Sequence, residues 1–183
     1  MAVSMAEQIR PLRRVEYDKL IELGAFDSER IELLNGVLVP MSPIGPSHSS
    51  SVQKLATLLL PALLGRAAVR VQSPFAALEL SEPEPDIVVA PPGDYDTEHP
   101  SEAFLIVEVA ESSLARDRGP KRQLYASCGV AEYWVVNLID RSIEVFCSPG
   151  EGTYRKVRVC ARGESVRLVC FPDLEVRVDD VVK

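Results

Sequence analysis

The chain has 183 residues, the length of a single ordinary domain, which excludes separate cofactor and substrate lobes and leaves room for one site or one binding face. With 46% hydrophobic and 26% charged residues the composition is globular, and a chain of this length buries roughly 70% of its unfolded surface. A balance of 20 Lys plus Arg against 27 Asp plus Glu gives a net charge of −7, so any contact with a polyanion has to be local.

Residues 15–23 place Val15, Leu20 and Leu23 near one face of a short helix that Gly24 can stop. Two apolar runs, 29–34 and 37–41, are separated by Asn35-Gly36, a dipeptide that accepts the positive φ values of a type I′ hairpin. Alternation then puts Glu32 inside a strand, on the face of Leu34 and opposite Ile31 and Leu33. Ser47 is the expected N-cap of a helix carrying Val52, Leu55, Leu58, Leu59 and Leu63, which Pro61 should kink or end early. Val69, Val71, Phe75 and Leu78 suggest one or two strands, while residues 87–90 and 104–109 are short apolar runs of the kind buried on both faces. Pro120 suits the first turn of a helix over 120–128, with Gly129 at its C-terminal cap. Residues 132–138 and 142–147 read as a strand pair, and 154–160 and 166–169 add further β structure. The pattern is α/β with a mixed sheet.

Charge is segregated along the chain. Residues 79–111 hold ten acids and no Lys or Arg, whereas residues 114–167 hold ten bases against six acids. An acidic segment abutting a basic one suits a metal site beside a phosphate-binding surface, or simply two solvated faces. Cysteines at 128, 147, 160 and 170 form no C-x-x-C pair and have no His close by, so they read as reduced core thiols rather than zinc ligands. The polar N-terminus is not followed by an apolar stretch, and the greasiest run, 55–64, is interrupted by Pro61; a cytoplasmic protein without a membrane span is expected.

Three acids stand in surroundings wrong for surface carboxylates. Asp86 opens Asp86-Ile87-Val88-Val89, Glu108 lies near the end of Phe104-Leu105-Ile106-Val107-Glu108-Val109, and Glu32 sits in Ile31-Glu32-Leu33-Leu34. Buried carboxylates have to be paired, protonated or bound to a cation. Each alone reads as a salt-bridged or edge-facing acid; together they make a hard-oxygen site of the kind Mg²⁺ or Mn²⁺ takes. His48 precedes a helix, where it either contacts a phosphate or faces solvent. Arg116, Arg118, Lys121 and Arg122 cluster around the expected start of the 120–128 helix, against the helix dipole, which favours an anionic partner such as a DNA backbone over a solvated basic turn. Tyr125 and Trp134 read as packing residues. Ser112 and Ser113 lack a nearby His and a G-x-S-x-G elbow, which argues against a serine hydrolase, and 6% aromatics leave few platforms for a glycosidase.

Pro85-Asp86 followed by Glu108 resembles the P-D…(D/E)-x-K signature of the metal-dependent nuclease superfamily that includes many restriction endonucleases, except that Ala110 occupies the usual Lys position. Lys121, on the following helix, can reach the same cavity. The wider set is similar to the Uma-type family of restriction endonucleases: Glu32-Leu33-Leu34-Asn35-Gly36, Met41-Ser42-Pro43, His48, Glu108-Val109-Ala110-Glu111-Ser112-Ser113, Asp117, Lys121, Tyr125-Ala126, residues 129–136, Gly152-Thr153-Tyr154-Arg155 and Val178-Asp179-Asp180-Val181. The resemblance spans about residues 12–183, which implies a flexible N-terminus over 1–11 and a single endonuclease-like domain after it. It implies a restriction-endonuclease-like mixed sheet flanked by helices, with an N-terminal β-hairpin. It further implies that Asp86 and Glu108 ligate Mg²⁺ or Mn²⁺, with the Val109 carbonyl as an added ligand, that Glu32 orients the site, and that Lys121 activates water or stabilises charge on the phosphorane. His48, Arg116, Arg118 and Arg122 are the candidate nucleic-acid contacts. A DNA substrate and a homodimer are implied, with no organic cofactor. The alternative reading, motivated by Ala110 and the negative net charge, is a decayed nuclease fold serving as a nucleic-acid-binding or protein-interaction module.

Overall fold

The computed structural model describes residues 10–183, so the N-terminus expected to be flexible over 1–11 lies, through residue 9, outside the described residues. Helix α1 (Arg14–Glu22) leads into the hairpin β1 (Ile31–Leu34) and β2 (Val37–Pro40), and the turn between them is the expected one, with Asn35 at φ 50° and Gly36 at φ 78°. Helix α2 (Pro46–Ala62) follows, then β3 (Ala68–Val71), β4 (Ile87–Ala90) and β5 (Leu105–Ala110). A helical run comes next: α3 (Leu114–Arg116), a π-helical turn (Asp117–Lys121) and α4 (Arg122–Ser127). Strands β6 (Glu132–Asn137), β7 (Ser142–Gly150) and β8 (Thr153–Cys160) are followed by β9 (Ser165–Arg167), β10 (Glu175–Arg177) and the short α5 (Val178–Val181).

Strands β3 to β8 form one six-stranded sheet in sequential order, in which β5 and β6 run parallel and every other neighbouring pair is antiparallel. The parallel pair requires a crossover, and the helical run from Leu114 supplies it. Helices cover both faces. Val52, Leu55 and Leu59 of α2, with Leu63 just after it, pack with Val107 and Val109 of β5, while Leu124, Tyr125 and Ala126 of α4 pack with Ile106 and Ala110. Since side chains alternate along a strand, Glu108 shares the α4 side with Ile106 and Ala110. The expected mixed α/β architecture, with its N-terminal hairpin, is the one found.

Local expectations shift in four places. Gly45, not Ser47, is the N-cap of α2, because Pro46 occupies the first helical position, where its fixed φ is pre-organised and its missing N–H costs nothing. Of the strands expected over 69–78 only β3 forms; Gln72 at φ 44° and Leu78 at φ 54° break the extended run, and Phe75 is buried edge-on against Tyr125 instead. The crossover helix begins at Leu114 rather than at Pro120. Within it Pro120 cannot donate to the Arg116 carbonyl and its ring would clash there, and the backbone widens into a π turn over those residues. Arg116 therefore lies in the first turn of the run and Arg118, Lys121 and Arg122 further along it, which weakens the argument from the helix dipole. Finally β9 pairs with β10, which carries no sequence signal of its own. All four cysteines are free, but only Cys160 is a buried core thiol, and Cys170 is exposed.

The face of the sheet opposite α4 holds Trp134, whose indole Nε1 donates to Glu132 Oε1 at 2.8 Å. The other oxygen of that buried carboxylate accepts from the Val169 main-chain N–H at 2.7 Å, tying the segment after β9 to the sheet.

Candidate active site

Two hydrophobic strands deliver two acids to one end of the sheet. Asp86 sits just before β4 and Glu108 within β5, and both are buried. The Asp86 Oδ2 accepts from the Val109 main-chain N–H at 2.8 Å and lies 3.0 Å from His48 Nε2, on the first turn of α2. Gln72 Nε2 reaches Asp86 Oδ1 at 3.4 Å, and the Gln72 main-chain N–H donates to the Asp86 carbonyl at 3.0 Å. Asp86 is thus held from three elements.

Glu108 meets a cation from the helix above it. Lys121 Nζ lies 3.0 Å from Glu108 Oε1 and 2.9 Å from Glu32 Oε2, and the Tyr125 hydroxyl donates to the same Glu108 oxygen at 2.7 Å. Asp117, one π turn before Lys121, accepts from Ser113 Oγ at 2.5 Å. Burial drives the Glu108 carboxyl well above the usual carboxylate range, against the pull of the Lys121 ammonium. Burial lowers the Lys121 pKa, but Glu108, Glu32 and Asp117 outweigh it, and the ammonium is held above its ordinary value. Burial likewise raises Asp117, opposed by Lys121 and the Ser113 hydroxyl.

These groups open onto a pocket of about 80 Å³, enough for several waters or a partly hydrated ion. Its walls are the loop from Met41 to Gly45, the first turn of α2 and Glu111, Ser112 and Ser113, and its rim carries Arg30, Glu84 and Arg116. Six of the sequence candidates line it: Glu32, His48, Asp86, Glu108, Arg116 and Lys121. Two do not. Arg118 forks onto Glu144 of β7, Nε donating to Oε2 at 3.0 Å and Nη2 to Oε1, and the Arg122 guanidinium stacks over Phe146 at 5.5 Å. Residues 117, 121 and 125 project toward Glu108 from one side of the helical run, and 118 and 122 fall on the next side, over β7.

Sequence reasoning passed over Gln72, whose positive φ leaves no compositional mark, and assigned Tyr125 to packing alone. It also omitted Arg30, which has no apolar run around it to make its position notable.

Among the described residues, no group of three or more His, Cys, Asp or Glu side chains is arranged to hold a metal. Glu32 is turned to Lys121 and Arg116 rather than toward Asp86, with Arg116 Nη1 3.5 Å from its Oε1. The residues that could hold a cation are therefore Asp86 and Glu108, with main-chain or water oxygen, a set compatible with Mg²⁺, which keeps several waters and needs only one or two carboxylates. Glu108 Oε2 has no hydrogen-bond partner among the described residues.

The mixed sheet with helices on both faces and an acid–lysine pocket at one end defines a restriction-endonuclease-like α/β protein. The chain belongs to the Uma2 family, described as "Putative restriction endonuclease", whose model matches residues 14–179. A crystal structure described as a putative nuclease belonging to DUF820, from Anabaena variabilis, is similar in fold, with a TM-score of 0.72 at 15% identity over 93% of this chain and 97% of that one. No curated protein matches the chain. Among the described residues no helix is long and apolar enough to cross a membrane.

Proposed function

We propose that the chain is a Mg²⁺- or Mn²⁺-dependent DNA endonuclease acting through Glu32, Asp86, Glu108 and Lys121. One observation carries the reading: Lys121 reaches from the crossover helix to both Glu32 and Glu108 and so stands in for the Lys that Ala110 lacks. A lysine kept cationic between two carboxylates, at the wall of a pocket, is a fixed positive charge aimed where a phosphorane develops negative charge. Glu32 holds that ammonium in place, and the Tyr125 hydroxyl fixes the rotamer of Glu108. His48 and Arg116 are the pocket-lining contacts assigned to the phosphate; Arg118 and Arg122 meet the strand only beyond the pocket.

A divalent ion held by Asp86 and Glu108, with the Val109 carbonyl, would supply Lewis-acid charge to the scissile phosphate and acidify the attacking water. No covalent enzyme intermediate is needed. The acidic subunit presents little basic surface around the pocket, so we further propose that two copies act together on a duplex. The test is cleavage of plasmid and oligonucleotide DNA with Mg²⁺ or Mn²⁺ by the natural chain, Glu108→Ala and Lys121→Met. Loss of cleavage in both variants is the expected result, and equal activity in all three overturns the reading.

A further inference from the structure

The pocket presents a problem for a polyanion. Glu32, Glu84, Asp86, Glu108, Glu111 and Asp117 all line it, against three basic side chains, Arg30, Arg116 and Lys121. Lys121 stands at the base of the pocket, its side chain only 5% exposed, whereas Arg30 and Arg116 are 45% and 33% exposed. Both arginines are fastened to the open end of the hairpin. The Arg30 carbonyl accepts from the Met41 main-chain N–H at 2.9 Å, and Arg116 Nη1 donates to the Pro40 carbonyl at 3.3 Å. Each guanidinium also holds a carboxylate: Arg30 Nη2 lies 2.6 Å from Glu84 Oε1, and Arg116 is beside Glu32.

We infer that Arg30 and Arg116 form a phosphate-binding subsite at the open end of the hairpin, in which a nucleic-acid phosphate displaces Glu84 from Arg30. This rests on the nuclease reading and adds to it the residues that meet the backbone beside the scissile bond. Arginine suits the exchange because its planar fork takes a carboxylate or a phosphate in the same two-pronged geometry. Glu84, a quarter exposed, returns to water as it leaves. The partner carboxylate keeps the rim ordered when no strand is present and sets a threshold that only a closely placed phosphate overcomes.

The experiment is fluorescence anisotropy of a labelled DNA duplex in EDTA, which prevents cleavage, with salt varied from about 50 to about 200 mM. Arg30→Gln should lower the slope of log K against log salt by about 1, the loss of one phosphate contact, while Arg167→Gln, in the distant β9–β10 pair, leaves it unchanged. Glu84→Gln should tighten binding in the natural background and leave the Arg30→Gln variant as it was. A slope unaltered by Arg30→Gln, or equal tightening by Glu84→Gln in both backgrounds, overturns the subsite while leaving the nuclease reading intact. Absence of salt-dependent DNA binding by the natural chain overturns the subsite, and the cleavage assay with Mg²⁺ or Mn²⁺ then decides the nuclease reading on its own.

Discussion

Lys121 is the residue on which the site turns, since its buried ammonium serves two carboxylates at once. Removing one partner of a buried ion pair leaves an uncompensated charge, which costs about 3–5 kcal/mol. Lys121→Met should therefore lower the unfolding free energy by roughly that amount, measured in urea, whereas the conservative Lys121→Arg should lose less. Glu82 is a buried acid outside the pocket lining. Burial, with Asp18 beside it, pushes its carboxyl up to about 7 against the pull of Arg14. The folded state then holds a proton that the unfolded chain releases near 4.5, so this contribution to stability is complete below about 4.5 and is lost as the pH rises through about 7. Glu82→Gln should flatten the decline of the urea midpoint across that window; an unchanged profile would assign the decline to other groups.

Two elements place the site, and they differ in how openly the sequence announces them. The hairpin is written in Asn35-Gly36, and the closeness of its turn is measurable, because a Cβ added to Gly36 would lie 2.3 Å from Pro11 Cβ. Gly36→Ala combines that clash with a φ of 78° and should destabilise the protein by more than about 1 kcal/mol in thermal unfolding. Asp86 and Glu108 were legible for a related reason: an acid inside an apolar strand run is conspicuous. The π turn was not. Pro120 reads from sequence as a helix start, whereas the helical backbone already begins at Leu114 and runs through a π turn from Asp117. That one displacement explains why Arg118 and Arg122, adjacent in sequence to the site, project over β7. Pro120→Ala restores the missing donor, so the turn should tighten toward α-helical spacing and swing Lys121 out of register. Cleavage should fall at least about tenfold with little change in stability, because a small misplacement at a reacting centre is costly even where packing tolerates it.

At the scale of the molecule, the net charge of −7 conceals a division between an acidic segment that builds the floor of the pocket and a basic segment that begins at its rim. A cation bound to Asp86 and Glu108 would offset part of that acidity. Calorimetric titration with Mn²⁺ should give a saturable site in the natural chain and none in Glu108→Ala, and EDTA should abolish cleavage. A chain that takes up no Mn²⁺ at millimolar concentration would favour the non-catalytic reading of the fold. The mixed topology was legible because the β4 and β5 runs lack polar alternation, as strands covered on both faces do. Of the β9–β10 pair, β9 was legible in the 166–169 run, but β10 was not, since a single buried valine between Glu175 and Arg177 carries no periodicity to read.

Trp134 is the only tryptophan in the chain, and its indole donates to the carboxylate that also anchors Val169. The protein therefore carries an intrinsic fluorophore in the core between the sheet and α2. Its emission reports whether the C-terminal segment is docked, because the carboxylate that holds Val169 also accepts from the indole. A red shift that precedes loss of the far-ultraviolet signal in urea would mark undocking of that segment as the first step of unfolding.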